Sequence, residues 1–441
     1  MTGLAAPLLE FLSFAEQFSL MQRVQAQRFD VLVIGGGPGG STAATYLARG
    51  GRKVLLLEKE VFPRFHIGES LLPYNREIFE EMGLMPALEK QGFPRKFGAQ
   101  FHVGNGSKST VFIFRQGRFT RMHDAFQVER AKFDHILLKH ARDCGAEVRE
   151  GWTVNKYFHG SDGIAMDARA PDGTRHTFSA AYLIDASGRG NLTGNQDNLR
   201  VVHPKLKKLA VFGHFTNVQL DPGAKAGDTI IVRLHNKWFW VIPISPEKTS
   251  VGCVMDGEEY GAMKLKPEAV FQHWVQSSPV MRQRMKDAEL AGPIHTTSDF
   301  SYKNTRFVGE RLLRVGDAAG FMDPIFSAGV YLAMFSGRLG ARAVLEIFQK
   351  PSRAAGILRN YEKRVQHAME TYWEMVEHFY TTPFMEVFLE PRDKFSMPAA
   401  VNAMLAGDVE GGWHLRWRLR LFFLIVKLQA RYPLLPRIKW A

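Results

Sequence analysis

The chain of 441 residues contains only two cysteines, Cys144 and Cys253. Two cysteines cannot build a disulfide framework, and neither lies in a C-x-x-C pair, so a disulfide scaffold and a thioredoxin-like redox motif are both excluded. Because disulfides are rare in reducing compartments, the low cysteine content favours a cytoplasmic location. We predict no metal site.

No apolar run reaches the roughly eighteen residues that a helix needs to span a bilayer. The N-terminal extension, residues 1–28, is apolar, but it carries Glu10 and Glu16 and lacks the basic start of a signal peptide. Its apolar residues fall at helical spacing. This pattern is typical of a helix docked on the protein or of a mobile extension.

Negative charge is also in short supply. With 57 Lys and Arg against 44 Asp and Glu, the formal net charge is +13. Such a balance suits an anionic ligand, for example a polyphosphate cofactor, an acidic carrier protein or a membrane surface. We predict no nucleic-acid partner, because no helix-turn-helix, zinc-finger or RNP-like pattern is present.

A glycine-rich stretch, GGGPGG at residues 35–40, follows a short apolar strand and opens a helix. It fits G-x-G-x-x-G, in which glycines let backbone amides approach a pyrophosphate at the helix N-terminus. Glu58 ends a second apolar strand 23 positions after Gly35 (58 − 35), where an acid accepts bonds from a ribose hydroxyl. The segment predicts a dinucleotide site. Its glycine-loop contacts would be Gly35, Gly37, Pro38, Gly39 and Gly40.

Two later segments, residues 183–190 and 311–320, each end a strand in a polar turn and favour FAD over NAD. Asp317 in the second turn can bond a ribityl hydroxyl or simply cap a helix. A strand-GD-helix segment late in a chain with a Rossmann start resembles FAD proteins of the p-hydroxybenzoate hydroxylase type. Arg130 resembles the flavin-contacting arginine of that family. No second G-x-G-x-x-G is present, so either NAD(P)H binds transiently or a separate NAD(P)H-dependent reductase supplies reduced flavin.

Three further stretches resemble the flavin-dependent halogenases. They are WFWVIP at 238–243, which fits W-x-W-x-I-P, FMDPIFSAG at 321–329, which fits F-x-x-P-x-x-S-x-G, and RKFGAQF with Lys96. Together with the flavin motifs they cover residues 29–348. The resemblance implies further FAD contacts at Lys59, Arg64, Gly68, Ser70 and Gly329.

The resemblance implies that reduced FAD, oxygen and chloride or bromide give hypohalous acid, which Lys96 relays to an electron-rich aromatic substrate. The halide would lie on the amides of Ala328 and Gly329, because turn N–H groups form anion sites. Lys96 would face a buried tunnel, where burial favours the neutral amine. Without the resemblance, Lys96 is interpreted as a surface lysine above an apolar strand face.

The stretch 238–243 is expected to form a strand buried on both faces, because Trp238 and Trp240 share one face and Phe239 and Val241 the other. An aromatic core accounts for this pattern. In a halogenase, Trp238, Trp240 and Phe326 would instead form a wall between flavin and substrate that only a small oxidant can pass.

The substrate branch is indicated by Phe326. In tryptophan halogenases the halide loop resembles P-L-E-S-T-G, with a glutamate at the position of Phe326. In this chain PIFSAGV instead resembles the branch that acts on phenols, pyrroles or related rings, some of them carrier-bound. Free tryptophan is therefore disfavoured. His66, His123 and Glu69 lie near the motifs as candidate general bases, although each also fits a core or solvated position.

The C-terminal stretch 412–440 holds no acid and carries basic residues among Trp, Phe, Leu and Ile. Three interpretations stay open: a helix packed over the active site with its arginines in solvent, a docking surface for an acidic carrier protein, and peripheral membrane contact.

The predicted fold class is α/β. A Rossmann-type FAD-binding domain, residues 29–200 and 298–350, would be interleaved with a strand-rich substrate domain, residues 201–297, and followed by a helical region, residues 351–441. The alternatives are a geranylgeranyl-reductase-like flavoprotein, an aromatic-hydroxylating flavoprotein and a flavin-less scaffold that binds an acidic carrier. The reductase leaves W-x-W-x-I-P and Lys96 unexplained, the hydroxylase lacks its usual histidine-proline pattern after GDAA, and the scaffold needs no glycine loop.

Overall fold

A computed structural model describes residues 27–160 and 163–440. The predicted N-terminal extension therefore lies almost wholly outside the described residues. The strands are, in chain order, β1 (Gln27–Ile34), β2 (Val54–Glu58), β3 (Arg95–Lys96), β4 (Gly98–Val103), β5 (Ser109–Ile113), β6 (Ala125–Phe126), β7 (Glu147–Glu150), β8 (Thr153–His159), β9 (Ile164–Arg169), β10 (Arg175–Asp185), β11 (Arg200–Thr216), β12 (Thr229–Arg233), β13 (Trp238–Pro243), β14 (Thr249–Asp256), β15 (Glu289–Leu290), β16 (His295–Asn304), β17 (Val308–Gly309), β18 (Leu312–Arg314) and β19 (Gly320–Phe321).

The helices are distributed along the whole chain and dominate its last quarter. They are α1 (Pro38–Arg49), α2 (Asn75–Met82), α3 (Met85–Glu89), α4 (Arg130–Asp143), α5 (Leu192–Gln196), α6 (Gly257–Met263), α7 (Pro267–Ser277), α8 (Pro279–Arg284), α9 (Ala328–Gln349), α10 (Ala354–Phe379), α11 (Thr382–Phe388), α12 (Met397–Ala406) and α13 (Trp413–Arg431). Together the strands and helices confirm the predicted α/β class.

The first sheet runs in the order β17-β18-β10-β1-β2-β7, with the β8–β9 hairpin attached to β10. β1 pairs in parallel with β2 on one side and with β10 on the other, and β18 continues the parallel set beyond β10. The carboxyl ends of these strands therefore lie at one edge, where open α/β sheets bind their ligands. The glycine loop follows β1, Glu58 ends β2, and the GD turn follows β18.

The second sheet is a mainly antiparallel layer in the order β19-β16-β11-β14-β13-β12-β4-β5, with β15 attached to β11. β13 lies inside it between β12 and β14. All six residues of β13 are buried, as predicted. Trp238 and Trp240 contribute to the main core, whereas Phe239 and Val241 pack in a separate cluster on the opposite face with residues of α7.

The predicted division into domains remains a prediction. The second sheet takes up β4 and β5 from residues 98–113 as well as strands of residues 201–297, and β16 continues to Asn304. From residue 354 onward, four helices, α10 to α13, form a layer that ends at Arg431.

The residues after α13 are held by a buried carboxylate, Glu386 of α11. Its two oxygens accept bonds from the Gln429 side chain at 2.7 Å, the Ile438 amide at 3.0 Å and Arg437 at 3.1 Å. Among the helices that the structure describes, none combines the length and apolarity needed to cross a membrane.

Candidate flavin and halide site

A cavity of about 570 Å³ lies where the carboxyl edge of the first sheet meets one face of the second sheet and the start of α9. All but two of the predicted site residues line it; Gly40 and Lys96 do not. The predicted residues on its wall are Gly35, Gly37, Pro38, Gly39, Glu58, Lys59, Arg64, Gly68, Ser70, Arg130, Trp238, Trp240, Asp317, Phe326, Ala328 and Gly329.

The glycines of the first loop differ in what surrounds them. A Cβ on Gly35, whose φ is +95°, would lie 2.3 Å from the Ala186 carbonyl oxygen, and one on Gly40 would lie 1.9 Å from the Gly35 oxygen. At Gly37 the nearest atom is an Arg64 nitrogen at 3.9 Å. Gly35 and Gly40 are therefore required by the protein's own packing, whereas Gly37 leaves room for a ligand. α1 begins there without a side-chain cap, so its first N–H groups are available to an anion.

Glu58 is buried at the end of β2 and is already oriented by backbone donors. One carboxylate oxygen accepts the Gly36 amide at 2.6 Å and the other accepts the Glu60 amide at 2.9 Å. Since an ionised carboxylate has about four lone-pair sites, each oxygen can still accept a ribose hydroxyl. The exposed Lys59 lies beside it on the cavity wall.

A buried clamp holds the predicted flavin-contacting arginine. Arg130 donates to both oxygens of Asp134 at 2.8 Å, and Arg64 donates to the same carboxylate at 2.9 Å. Burial alone would raise the pKa of Asp134, but Arg130 and Arg64 hold it below its ordinary value. Arg130 also donates to the Ile67 and Gly68 carbonyls at 2.8 and 3.1 Å. Arg64 also pairs with Glu60 at 3.0 Å, so the two guanidinium groups are balanced by two carboxylates and are held in place on the cavity wall.

Asp134 was not among the predicted residues. Asp134 lies four positions after Arg130 in the sequence, and on a helix such as α4 side chains at this spacing share a face.

Asp317 lies in the short turn after β18, eleven positions before the first residue of α9 (328 − 317), so it does not cap that helix. Burial raises the pKa of Asp317 to about 6, and the charges of Arg189 and Arg130 act in the opposite direction. A carboxylate kept at this energetic cost on a cavity wall fits the predicted bond to a ribityl hydroxyl.

The halide loop ends in a left-handed residue. Ser327 has φ 58° and ψ 22°, and α9 starts directly after it with no side-chain cap. A Cβ on Gly329 would meet nothing within 4 Å. The amides of Ala328 and Gly329 thus open a 22-residue helix at the cavity wall, an arrangement that binds small anions.

The two tryptophans of β13 form one side of the cavity, with ring centroids 5.9 Å apart. Trp238 Nε1 donates to the Tyr380 hydroxyl at 2.8 Å, which donates to Asp323 Oδ2 at 2.7 Å. Asp323 Oδ1 accepts the Ile325 amide at 3.2 Å inside the halide loop. A hydrogen-bond chain therefore connects the aromatic wall to the halide loop. Neither Tyr380 nor Asp323 was predicted, and Tyr380 lies in a region that no motif covers.

Lys96 is 2% exposed, so the interpretation as a surface lysine is wrong. The chain turns it inward and exposes the neighbouring Phe97 instead, because β3 ends at Lys96. Lys96 Nζ donates to Ser70 Oγ at 2.9 Å and to the Leu71 carbonyl at 3.1 Å. Ser70 lines the cavity, so the Ser70 hydroxyl separates the Lys96 amine from the cavity.

Burial lowers the pKa of Lys96 to about 7, and the charge of Asp228 opposes this shift. Both protonation states are therefore populated at neutral pH. The Ser70 hydroxyl also shares a hydrogen bond with Thr229 Oγ1 at 2.7 Å, and Thr229 is another residue of the cavity wall.

The three candidate bases differ in position. His123 bonds the Thr120 carbonyl at 3.1 Å and is not on the cavity wall, whereas His66 is on it, but burial and then Arg130 lower its pKa to about 3. Glu69 is buried on the wall and pairs with His214 at 2.7 Å, a partner that the sequence did not indicate. Its second oxygen has no hydrogen-bond partner among the described residues. Glu69 is therefore the one of the three that combines a place on the cavity wall with an unbonded carboxylate oxygen.

The cavity combines an uncapped helix start, open space at Gly37, two fixed guanidinium groups and the two carboxylates predicted to bond ribose and ribityl hydroxyls. This set of donors and acceptors fits FAD. Comparisons with known proteins agree. A family model described as FAD binding domain matches residues 28–372.

Two curated relatives and one solved structure illustrate the likeness. The 1H-pyrrole-2-carbonyl-[peptidyl-carrier protein] chlorinase of Pseudomonas fluorescens is 31% identical over 87% of this chain and 90% of its own. The tryptophan 2-halogenase of Chondromyces crocatus is 33% identical over 79% of this chain and 67% of its own. The flavin-dependent brominase Bmp2 superposes with a TM-score of 0.82 at 27% identity, covering 92% of this chain and 100% of its own.

Gly37→Ala should separate folding from cofactor binding. The added Cβ meets no protein atom closer than 3.9 Å, so the thermal unfolding temperature without FAD should stay within about 2 °C. FAD affinity, measured by flavin fluorescence titration, should fall at least about ten-fold, because the methyl group occupies the space of the phosphates. Gly356→Ala, at an open position on α10, should leave FAD affinity unchanged. Equal affinity in the two variants would contradict a pyrophosphate at Gly37.

Asp317→Asn should stabilise the protein without FAD and weaken FAD binding. Since the folded pKa is about 6 and the ordinary value 3.8, the folded state holds the proton more tightly, and Asp317 costs stability progressively as pH rises from about 4 to 6. The free energy of unfolding in urea should therefore increase by about 2 kcal/mol at pH 8 but little at pH 4. FAD affinity should fall at least about ten-fold. The exposed Asp287→Asn is the control; an equal gain at both pH values would show that burial of charge is not the cause.

Proposed function

Because this chain belongs to the flavin-dependent halogenases and carries an FAD binding domain, we propose that it chlorinates or brominates a pyrrolic or phenolic ring presented on a carrier protein. The supporting observation is the single cavity that joins the flavin loop, the halide loop and the tryptophan wall, with Lys96 one hydroxyl behind it.

Bound FAD, supplied reduced, provides the electrons with which oxygen and a halide give hypohalous acid. The protein's own residues position the halide and separate the flavin from the organic substrate. The amides of Ala328 and Gly329 hold the halide at the start of α9. Trp238, Trp240 and Phe326 fill the space beside it and keep an aromatic ring away from the flavin, so that only the small oxidant reaches the substrate.

Lys96 receives the oxidant on the far side of Ser70. With a pKa of about 7, it can donate a hydrogen bond to hypohalous acid as an ammonium. As a neutral amine it can form an N–halogen bond, with water leaving. Either form delivers halogen as an electrophile, and the ring then loses a proton, for which Glu69 is the available acceptor on the wall.

The carrier-bound ring is favoured by the Pseudomonas relative, which is named for a pyrrole on a peptidyl carrier protein. The net charge of +13 suits an acidic carrier. Free tryptophan is the second candidate, because the Chondromyces relative is named for it. Free tryptophan is disfavoured by Phe326, which stands where the loop of the tryptophan branch has a glutamate.

A separate NAD(P)H-dependent flavin reductase is the proposed second partner. The chain has one G-x-G-x-x-G motif, and the site residues described above account for it with FAD. This supports the supply of reduced flavin by another protein over transient NAD(P)H binding.

The function is tested by incubating the protein with a flavin reductase, NADH, FAD, oxygen, bromide or chloride, and each of three acceptors: pyrrolyl carrier protein, free phenols and tryptophan. Mass spectrometry should show halogen gain, greatest on the carrier-bound ring. Lys96→Ala should lower halogenation at least about a hundred-fold while flavin oxidation continues. Lys90→Ala, at an exposed position, is the matched control.

Other products would change the assignment. Hydroxylation without halogen would support an aromatic hydroxylase, and a halogenated product from Lys96→Ala at the control rate would remove Lys96 from the reaction.

The pH dependence of halogenation should follow Lys96. We expect the rate to rise through about pH 7 as the amine loses its proton. Asp228→Asn removes a negative charge that raises this pKa, so the rise should move to lower pH; Asp287→Asn, far more exposed, should leave it in place. The measurement is the initial rate between pH 5.5 and 9 at saturating reduced FAD. A rate that falls with pH would show that the ammonium form acts.

A further inference from the structure

The C-terminal part of the structure exposes an unusual amount of apolar surface. Of the thirteen large apolar side chains that the described residues expose, six lie between residues 395 and 434. They are Phe395 at 66%, Trp413 at 74%, Leu424 at 51%, Leu428 at 40%, Tyr432 at 52% and Leu434 at 54% exposed. A concentration of exposed apolar side chains in one part of the chain directs attention to an interaction site.

Three of these six side chains, Trp413, Leu424 and Leu428, lie on α13. Its inner face is buried against the helical layer, with Phe422 meeting Phe384 of α11 at 5.5 Å and Phe423 meeting His378 of α10 at 4.9 Å between ring centroids. The outer face follows steps of three and four, so its side chains align along the helix. We call this face the α13 stripe; it consists of Trp413, Arg416, Arg420, Leu424, Lys427 and Arg431, all exposed.

The arginines at two-residue spacing do not all belong to the stripe. Arg418 turns back and donates to the Phe395 carbonyl at 2.8 Å and to the His414 carbonyl at 2.6 Å. Its guanidinium also lies 4.8 Å from the Phe119 ring. The structure thus divides the basic residues of the tail, and Arg416 and Arg420 remain on the outside.

The stripe is strongly cationic. Residues 412–440 contain no Asp or Glu, and no carboxylate of the described residues forms an ion pair with any of the four basic side chains of the stripe. By contrast, Arg437 after the helix is neutralised by Glu386 at 3.1 Å. The four cations on this helix face are therefore not neutralised by carboxylates of the described residues, and the face attracts an anionic surface.

We propose that the α13 stripe binds the surface of an anionic lipid bilayer, with the helix lying in the plane of the interface. Each Lys or Arg is attracted to anionic headgroups, and the apolar side chains between them enter the acyl boundary. Trp413 at the start of the helix and Tyr432 just after its end are the aromatic residues that prefer this boundary. No described helix is suited to cross the membrane, so the contact is peripheral.

The arrangement favours a lipid surface over a carrier protein. A protein interface places an apolar centre inside a polar rim. Here four cations are spread along the full length of the outer helix face and only two apolar side chains, Trp413 and Leu424, lie among them, so the face has no apolar centre. The proposal does not depend on the halogenase function. It does place the helical layer that contributes Tyr372 and Val376 to the cavity next to the membrane.

Vesicle sedimentation of the full chain tests the proposal. Binding should be strong to vesicles of equal phosphatidylcholine and phosphatidylglycerol, at least about ten-fold weaker to phosphatidylcholine alone, and reduced by high salt. Two variants should each lose at least about ten-fold in affinity: Arg416→Gln/Arg420→Gln/Lys427→Gln and Trp413→Ser/Leu424→Ser. The matched control is Lys90→Gln/Lys286→Gln/Lys363→Gln, which removes the same charge from exposed positions elsewhere.

Thermal melts and FAD titration of each variant separate lost folding from lost docking, since the substituted side chains are exposed. Equal binding by the charge variant and its control would overturn the proposal, as would equal binding to neutral and anionic vesicles. Loss of binding to a purified acidic carrier protein in the same charge variant, with no vesicle binding by the unmodified protein, would assign the stripe to the carrier instead.

Discussion

The parallel pairing of β1 with its two neighbours is the constraint from which the site follows. It aligns Ile34 with Leu57 on one side and with Asp185 on the other, so three strands end at one level. The loops that follow them must then share one edge, and the peptide groups of that edge approach so closely that Gly35 has no room for a side chain. A ligand that spans the edge meets a helix start, a carboxylate and a turn without any of them having to move.

Around the cavity, burial favours the neutral form of each ionisable group, and neighbouring charges determine which groups stay ionised. Asp134 stays ionised because two arginines bond it. Lys96 and Asp317 have weaker opposing charges, and their pKa values move toward the neutral form. The site therefore contains one firmly fixed ion pair network and two groups close to their titration point. Fixed charge suits a bound phosphate, and a group near its titration point suits chemistry with protons or halogens.

Local patterns in the sequence predicted what local geometry determines. The glycine loop, Glu58 and the alternation in β13 depend on chain neighbours, and they were recognisable at once. The contacts of Lys96 with Ser70, of Glu69 with His214 and of Trp238 with Tyr380 join residues 26, 145 and 142 positions apart, and no periodicity signals such pairs. The turn that buries Lys96 was also missed, because a two-residue strand leaves too short a pattern to show which side faces inward.

The chain from Trp238 through Tyr380 to Asp323 has a fixed direction. An indole N–H can only donate, so Tyr380 must accept from it and give its own proton to Asp323, whose other oxygen accepts the Ile325 amide. Each oxygen of Asp323 accepts one hydrogen bond, an arrangement that suits the ionised carboxylate, while burial raises the pKa of Asp323 to about 6. Acidification below that value adds a donor to a carboxyl group whose two oxygens already accept the Tyr380 hydroxyl and the Ile325 amide, and so weakens the connection between Trp238 and the loop before α9. The packing of this side of the cavity thus depends on the protonation of one buried carboxyl group.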